Sequence, residues 1–390
     1  MTSIIRWLLA FGTSLALVLS GSLSANAGPT AAGPGSASAP QRWGASARAD
    51  SDATADLLGI ERSPAYAALA SVGVGAINPA DYVCGPTDFS AYAAGLSRAL
   101  TPQERTFLSS YPQVLDIPTV DAILYGSSTD ARYDLRSDDR HSLTKTFSTL
   151  QRFWDIPSAD IQLVAMHGSV LQDPVRVARV LQLPLPGFGL SPAAAQQAAQ
   201  EIAAGTRGGL LAGGANALLT LNAFAFTPSV FPSPLMQGLP DKMIVGDGIV
   251  DAMNALGVGD VGPRVIMAHE FGHHVQYRDK IFASTLPPPE ASRRVELMAD
   301  AFSTYFSVHA HGLSLNTKRV LLAEQAFFDL GDCAYTNPQH HGTPLQRMRS
   351  ATWAAGVASA ARPQGKVLPS LTFAAMFERE LPVLVAPDAR

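Results

Sequence analysis

Two histidines stand four residues apart with a glutamate directly after the first: His269-Glu270-Phe271-Gly272-His273. In a helix four residues make about one turn, so both imidazoles leave the same face and can meet at one metal ion. Glu270 then lies where its carboxylate reaches a water on that ion without having to ligate, the position of a general base. The chemistry such a pattern suggests is metal-assisted hydrolysis. The surrounding stretch, Asp260 to Tyr277 (DVGPRVIMAHEFGHHVQY), supplies the helix. Asp260 is the expected cap, Pro263 fits the first turn, and no further proline interrupts before residue 287. Much of this helix is apolar (Val265, Ile266, Met267, Phe271, Val275), and burying two imidazoles and a carboxylate there unpartnered is costly. A metal ion removes that cost.

Zinc in a catalytic site takes three protein ligands and keeps a fourth position open. After Pro287-Pro288-Pro289 a second helix is expected, with Val295, Met298, Ala299, Phe302 and Phe306 forming a core stripe at helical spacing. On another face, one turn apart, lie Glu296 and Asp300. Glu296 is the expected third ligand, and Asp300 the acceptor for the outward N–H of a ligating histidine. A competing ligand is Asp279, six residues after His273, where metzincin-like enzymes place their last one; Gln276 stands where their turn glycine would be. His274, His309 and His311 are expected to be packed or solvent-facing, and His167 is a lesser candidate to approach the site. Gly246-Asp247-Gly248 has the form of a tight turn, since the other carboxylates of a calcium loop are absent.

The elements that must hold these residues are set by composition and periodicity. The chain has 390 residues, 47% hydrophobic and 15% charged, which excludes disorder of the whole. A balance of 28 Lys+Arg against 32 Asp+Glu disfavours a nucleic-acid partner. Two cysteines exclude Cys-rich zinc and iron–sulfur modules, so metal chemistry must use histidine and carboxylate. Arg6, the apolar run Trp7 to Ser20 and Ser24-Ala25-Asn26-Ala27-Gly28 have the form of a signal peptide over residues 1–27, cleaved after Ala27. The protein is then secreted or held in the periplasm or cell envelope, with no stable membrane insertion once cut; the alternative is an uncleaved anchor. Outside the cytosol Cys84 and Cys333 can pair, closing a loop of about 250 residues for about 4–5 kcal/mol in the chain-entropy model; two buried thiols are the alternative. Residues 28–53 form a low-complexity linker, 54–140 a mainly helical region, and 141–390 the domain that carries the motif. Strands are expected over 160–166, 218–226 and 242–245, and helices over 141–155, 173–183 and 191–204, an α+β order with a small mixed sheet and a mainly helical remainder.

Taken in order, Asn222-Ala223-Phe224, Met243 to Gly248, and Ala268-His269-Glu270-x-x-His273 followed by Glu296-x-x-x-Asp300 resemble the thermolysin-like gluzincin metallopeptidases over about residues 220–305. The resemblance implies a zincin-like domain, and an edge strand in which backbone groups of Asn222 and Ala223 pair with a peptide substrate; an ordinary core strand is the alternative. A closer resemblance, to bacterial neutral zinc metallopeptidases, rests on His269 through Gln276, on Glu296-Leu297-Met298-Ala299-Asp300, and on His341-Gly342-Thr343-Pro344-Leu345-Gln346-Arg347. It implies His341 as the residue that polarises the scissile carbonyl or stabilises the oxyanion. The expected function is an exported metallopeptidase with Zn²⁺ on His269, His273 and Glu296, Glu270 as base, and peptides or proteins as substrates. The rival readings are a non-catalytic secreted or envelope binding protein on the same scaffold, and a latent peptidase with residues 54–140 as pro-segment.

Overall fold

A computed structural model describes residues 77–230, 233–335, 337–361 and 365–388. The expected leader over 1–27 and linker over 28–53 lie outside the described residues. The first helices start where side chains can satisfy free backbone N–H groups. Thr87 and Ser90 form a reciprocal cap on α1 (Asp88–Ala99), and Thr101 and Glu104 do the same for α2 (Pro102–Ser110). α3 (Ile117–Tyr125) and α4 (Ser137–Phe153) follow. Next come β1 (Gln162–Met166), α5 (Pro174–Leu181) on an Asp173 cap, and α6 (Pro192–Arg207) on a Ser191 cap. β2 (Ala223–Phe226) and β3 (Lys242–Gly246) complete the sheet. Six helices succeed them: α7 (Asp247–Ala255), α8 (Gly262–Arg278), α9 (Pro288–Val308), α10 (Thr317–Asp329), α11 (Pro344–Ala361) and α12 (Ser370–Leu384). The fold is α+β: helix-rich, with one small mixed sheet.

The sheet runs β1-β3-β2, with β1 parallel and β2 antiparallel to β3. Its side chains alternate between two cores, as the pleat requires. Ala165, Met243, Val245 and Ala223 face the main core, and Val164, Ile244, Phe224 and Phe226 a smaller one with Ile123 and Tyr133. In the main core α8 and α9 pack together, with α11 on the far side of α9 and α4 across α8. Aromatic edges lock it, Trp154 onto Phe302 at 4.9 Å and Phe153 onto Phe306 at 5.1 Å. Gly272 sets the α8–α9 spacing, because a Cβ there would stand 3.2 Å from Ala299 Cα. α5 and α6 form a further core with Ile117 of α3.

Four expectations are corrected. The strand over 218–226 is half as long, because Asn216 Oδ1 accepts from Leu218 N–H and winds residues Ala217–Thr220 into a 3-10 turn. Gly246-Asp247-Gly248 is no turn: α7 begins at Asp247, and a Cβ on Gly248 would meet Ala217 O at 2.1 Å. Asp260 does not cap α8, whose N-cap is Val261; its carboxylate is drawn to Arg319 at 2.7 Å and Arg264 at 3.4 Å. A boundary at residue 140 falls inside α4, and Phe89 and Ala93 of α1 share the main core with Phe271.

The ends of the described chain meet. Asp388 N–H donates to Asp81 O at 2.8 Å, Val83 N–H to the Asp388 carboxylate at 2.6 Å, and Tyr82 Oη to Val385 O at 2.8 Å. Cys84 and Cys333 are disulfide-bonded. Among the described residues no helix is long and apolar enough to cross a membrane.

Candidate metal centre

α8 carries His269 and His273 one turn apart, and Glu296 reaches them from α9, all three buried. One ligand atom from each lies within 4.8 Å of the others, so the group could hold a metal ion. Hydrogen bonding behind the rings fixes which nitrogen faces inward. His269 Nδ1 lies 2.8 Å from Asp300 Oδ1, an acceptor, so the ring proton sits on Nδ1. His273 Nδ1 lies 2.9 Å from Gln276 Oε1, and Gln276 Nε2 donates to Val295 O at 2.7 Å, which turns the amide oxygen toward the histidine. With Nδ1 of each ring turned to an acceptor behind it, the two Nε2 atoms face one another, 3.1 Å apart. Glu296 adds its carboxylate, Oε2 at 3.3 Å from His269 Nε2 and Oε1 at 3.5 Å from His273 Nε2. Three electron-pair donors converging in a buried space repel unless a cation lies among them, so the donor set fits a metal.

Asp300 is itself held. Arg347 of α11 grips it with Nε at 2.8 Å and Nη2 at 2.6 Å, both groups buried. Neither the Arg347 contact nor the Gln276 contact was anticipated from the sequence. In the sequence Gln276 only stands in place of a turn glycine and closes the His269–Gln276 block, and Arg347 only closes the His341–Arg347 segment.

Glu270 accepts a hydrogen bond from Ala225 N–H at 2.9 Å. Burial pushes its carboxyl up to about 7, with His269 opposing and Glu296 reinforcing the shift. β2 is one of the two edge strands of the sheet, β1 being the other. In an antiparallel ladder alternate residues bond to the partner strand and the others face away. Gly246 N–H donates to Asn222 O, and the register pairs Ala223 with Val245 and Ala225 with Met243. Residues 222, 224 and 226 therefore bond inward, while 223 and 225 turn their backbone groups outward. The outward backbone groups of β2 belong to Ala223 and Ala225, the latter's N–H held by Glu270, while the Asn222 carbonyl, expected to pair with a peptide, is taken by β3.

His341 lies in the connection between α10 and α11. Its Nδ1 is 2.7 Å from Asp332 Oδ2, and its backbone N–H donates to the same oxygen at 2.9 Å. Burial opposes its charge, but Glu296 and Asp332 outweigh this and raise its pKa. The second oxygen of Asp332 accepts from His340 Nδ1 at 2.5 Å. The two imidazoles hold the Asp332 carboxyl well below the usual range against the effect of burial. Asp332 carries no local signature and was missed; its only sequence signal is that it precedes the two histidines in one loop.

The remaining candidates lie elsewhere. Both ring nitrogens of His167 are engaged, by Asp247 at 2.7 Å and Asp134 O at 2.9 Å. His274 is fully buried with Nε2 at 3.0 Å from Lys242 O, and Asp279 ends α8 outside the three-ligand group. No family model matches the chain, and no curated protein or solved structure matches it either.

Proposed function

We propose that the protein is an exported zinc-dependent metallopeptidase with a zincin-like catalytic domain. The observation that carries this reading is the pair of histidine Nε2 atoms 3.1 Å apart, joined by Glu296, with the buried Glu270 carboxylate outside that three-ligand group. A His₂-carboxylate donor set suits Zn²⁺, which when bound there supplies Lewis acidity toward a carbonyl oxygen and a water. Glu270, with its pKa near neutrality and its orientation fixed by Ala225 N–H, takes a proton from the attacking water and returns it to the leaving amine. A peptide lies along β2 and pairs with the outward backbone of Ala223, so that its scissile bond passes Glu270. His341, steadied by Asp332, donates to the carbonyl oxygen as negative charge builds there. Export is supported by the leader-like N-terminal sequence and by the Cys84–Cys333 disulfide, since such bonds persist in oxidising compartments.

Metal analysis of the purified protein and casein hydrolysis by wild type and Glu270→Gln test the reading together. About one zinc per chain, with hydrolysis abolished and zinc retained in the variant, is the expected result. Hydrolysis that persists in Glu270→Gln would sink the assignment, and zinc without any turnover in the wild type would favour the binding-protein reading.

A further inference from the structure

Among the described residues of the connection that carries His341, 330–335 and 337–343 between α10 and α11, there is neither helix nor strand. A loop of this kind does not by itself hold a side chain to within a fraction of an ångström. Its fixed points come instead from the strap of chain at residues 78–87, about 250 residues away in sequence. Thr87 Oγ1 donates to Asp329 O at 2.6 Å, just before the loop begins. Tyr82 stacks on Tyr335 with ring centroids 5.9 Å apart, and Tyr335 in turn lies against His340 at 5.3 Å. The Cys84–Cys333 bond joins strap and loop covalently, at the residue directly after Asp332. Cys84 Sγ lies 3.5 Å from Asp332 O, and Cys333 Sγ 3.8 Å from Gly85 O. Asp332 is thus clamped from both sides: its backbone by the disulfide and by its N–H to Gly342 O at 3.0 Å, and its carboxylate by two imidazoles.

We propose that the Cys84–Cys333 disulfide is a positioning element for His341: by fixing the backbone beside Asp332 it holds the His340–Asp332–His341 array in register with the metal centre. A disulfide that served stability alone would act on the unfolded chain and leave the folded geometry unchanged. One that positions a loop changes the folded state when it opens. The strap ends at α1, whose Phe89 and Ala93 lie in the main core, so it stays anchored after the bond is cut and only the loop gains freedom. Exposed Cys333 leaves the bond open to attack by a thiol or phosphine reductant, which breaks S–S to two thiols as the reductant is oxidised. The effect on turnover rests on the reading of this protein as a peptidase; the effect on Asp332 and its two histidines does not.

The experiment compares full-length, metal-loaded protein in three forms: oxidised, reduced with a phosphine and alkylated at both cysteines, and Cys84→Ser/Cys333→Ser. Two quantities are read at 25 °C in protein shown by circular dichroism to be folded. The first is exchange with water of the imidazole Nδ1 protons of His340 and His341, followed by nitrogen-15 NMR. The second is kcat and KM on a peptide substrate, with bound metal measured alongside. Opening the bond is expected to speed exchange of both protons at least tenfold and to lower kcat by about 10- to 100-fold with KM and metal content little changed, the scale set by small misplacements of a catalytic group. A lower melting temperature with unchanged exchange and unchanged kcat overturns the proposal, because it leaves a purely stabilising bond. If the oxidised protein cuts no peptide, the peptidase reading fails and the exchange measurement alone decides whether the disulfide sets the array. Should the double variant not fold, the reduced and alkylated protein carries the test.

Discussion

At the scale of single residues, the site is built from hydrogen bonds that leave only one nitrogen of each ligating ring for a metal. Gln276 does this for His273 with a neutral amide, where Asp300 does it for His269 with a carboxylate. Gln276→Ala frees the His273 ring to rotate, and about 10- to 100-fold weaker metal binding is expected, the range found when such supporting partners are removed. Competition with a chromophoric chelator checks it; unchanged affinity would show that packing alone orients the ring. The buried Glu270 gives a pH dependence. Its carboxyl is raised to about 7 chiefly by burial, and a base works only when ionised, so kcat/KM falls as pH drops below that value. A cation on the three ligands draws the pKa down, placing the acid limb at or below pH 7. A limb well above 7 in a pH–rate profile would assign the proton transfer to another group. The spacing of His269, His273, Glu296 and Asp300 was legible because a helix fixes which residues share a face. The parts played by Gln276, Asp332 and Arg347 were not, because each depends on contacts made across separate elements.

Elements place these residues through a few close contacts. Lys242, at the start of β3, is buried, and its Nζ donates to Ile123 O at 2.5 Å, Gly126 O at 2.7 Å and Ala122 O at 3.4 Å. It thereby caps the C-terminal end of α3, where carbonyls lack helical partners and the helix dipole favours a cation. Burial nevertheless lowers its pKa to about 8. Lys242→Met keeps the length of the side chain but strands the Ile123 and Gly126 carbonyls, Ala122 O keeping Gly126 N–H, and a loss of about 2–3 kcal/mol is expected. Urea unfolding with an unchanged slope is the measurement; a shift below about half a kcal/mol would mean that water replaces the lysine. Periodicity made the three strands and the helices that carry His269 and Glu296 legible, but not α7, expected as a turn, nor α10 to α12. The overlong strand at 218–226 shows the limit. Its apolar run suits a strand and a buried turn equally, and the choice fell to one side chain, Asn216, bonding two residues ahead.

On the scale of the whole molecule, the described residues before 140, from 77 on, pack into the rest of the chain. α1 contributes Phe89 and Ala93 to the main core, and the strap before it is covalently joined to the α10–α11 connection. Composition could show that the chain buries a core but not which distant segments share it; the two cysteines, 249 positions apart, were the one long-range link the sequence offered. The meeting of the ends at Asp81, Val83, Val385 and Asp388 has a separate consequence. The fold is close to a ring, and where a ring is opened matters little to the contacts inside it. A circular permutant in which residue 388 is linked to residue 81 and new termini are cut at exposed Pro186 and Gly187 is expected to fold and to bind metal with wild-type stoichiometry.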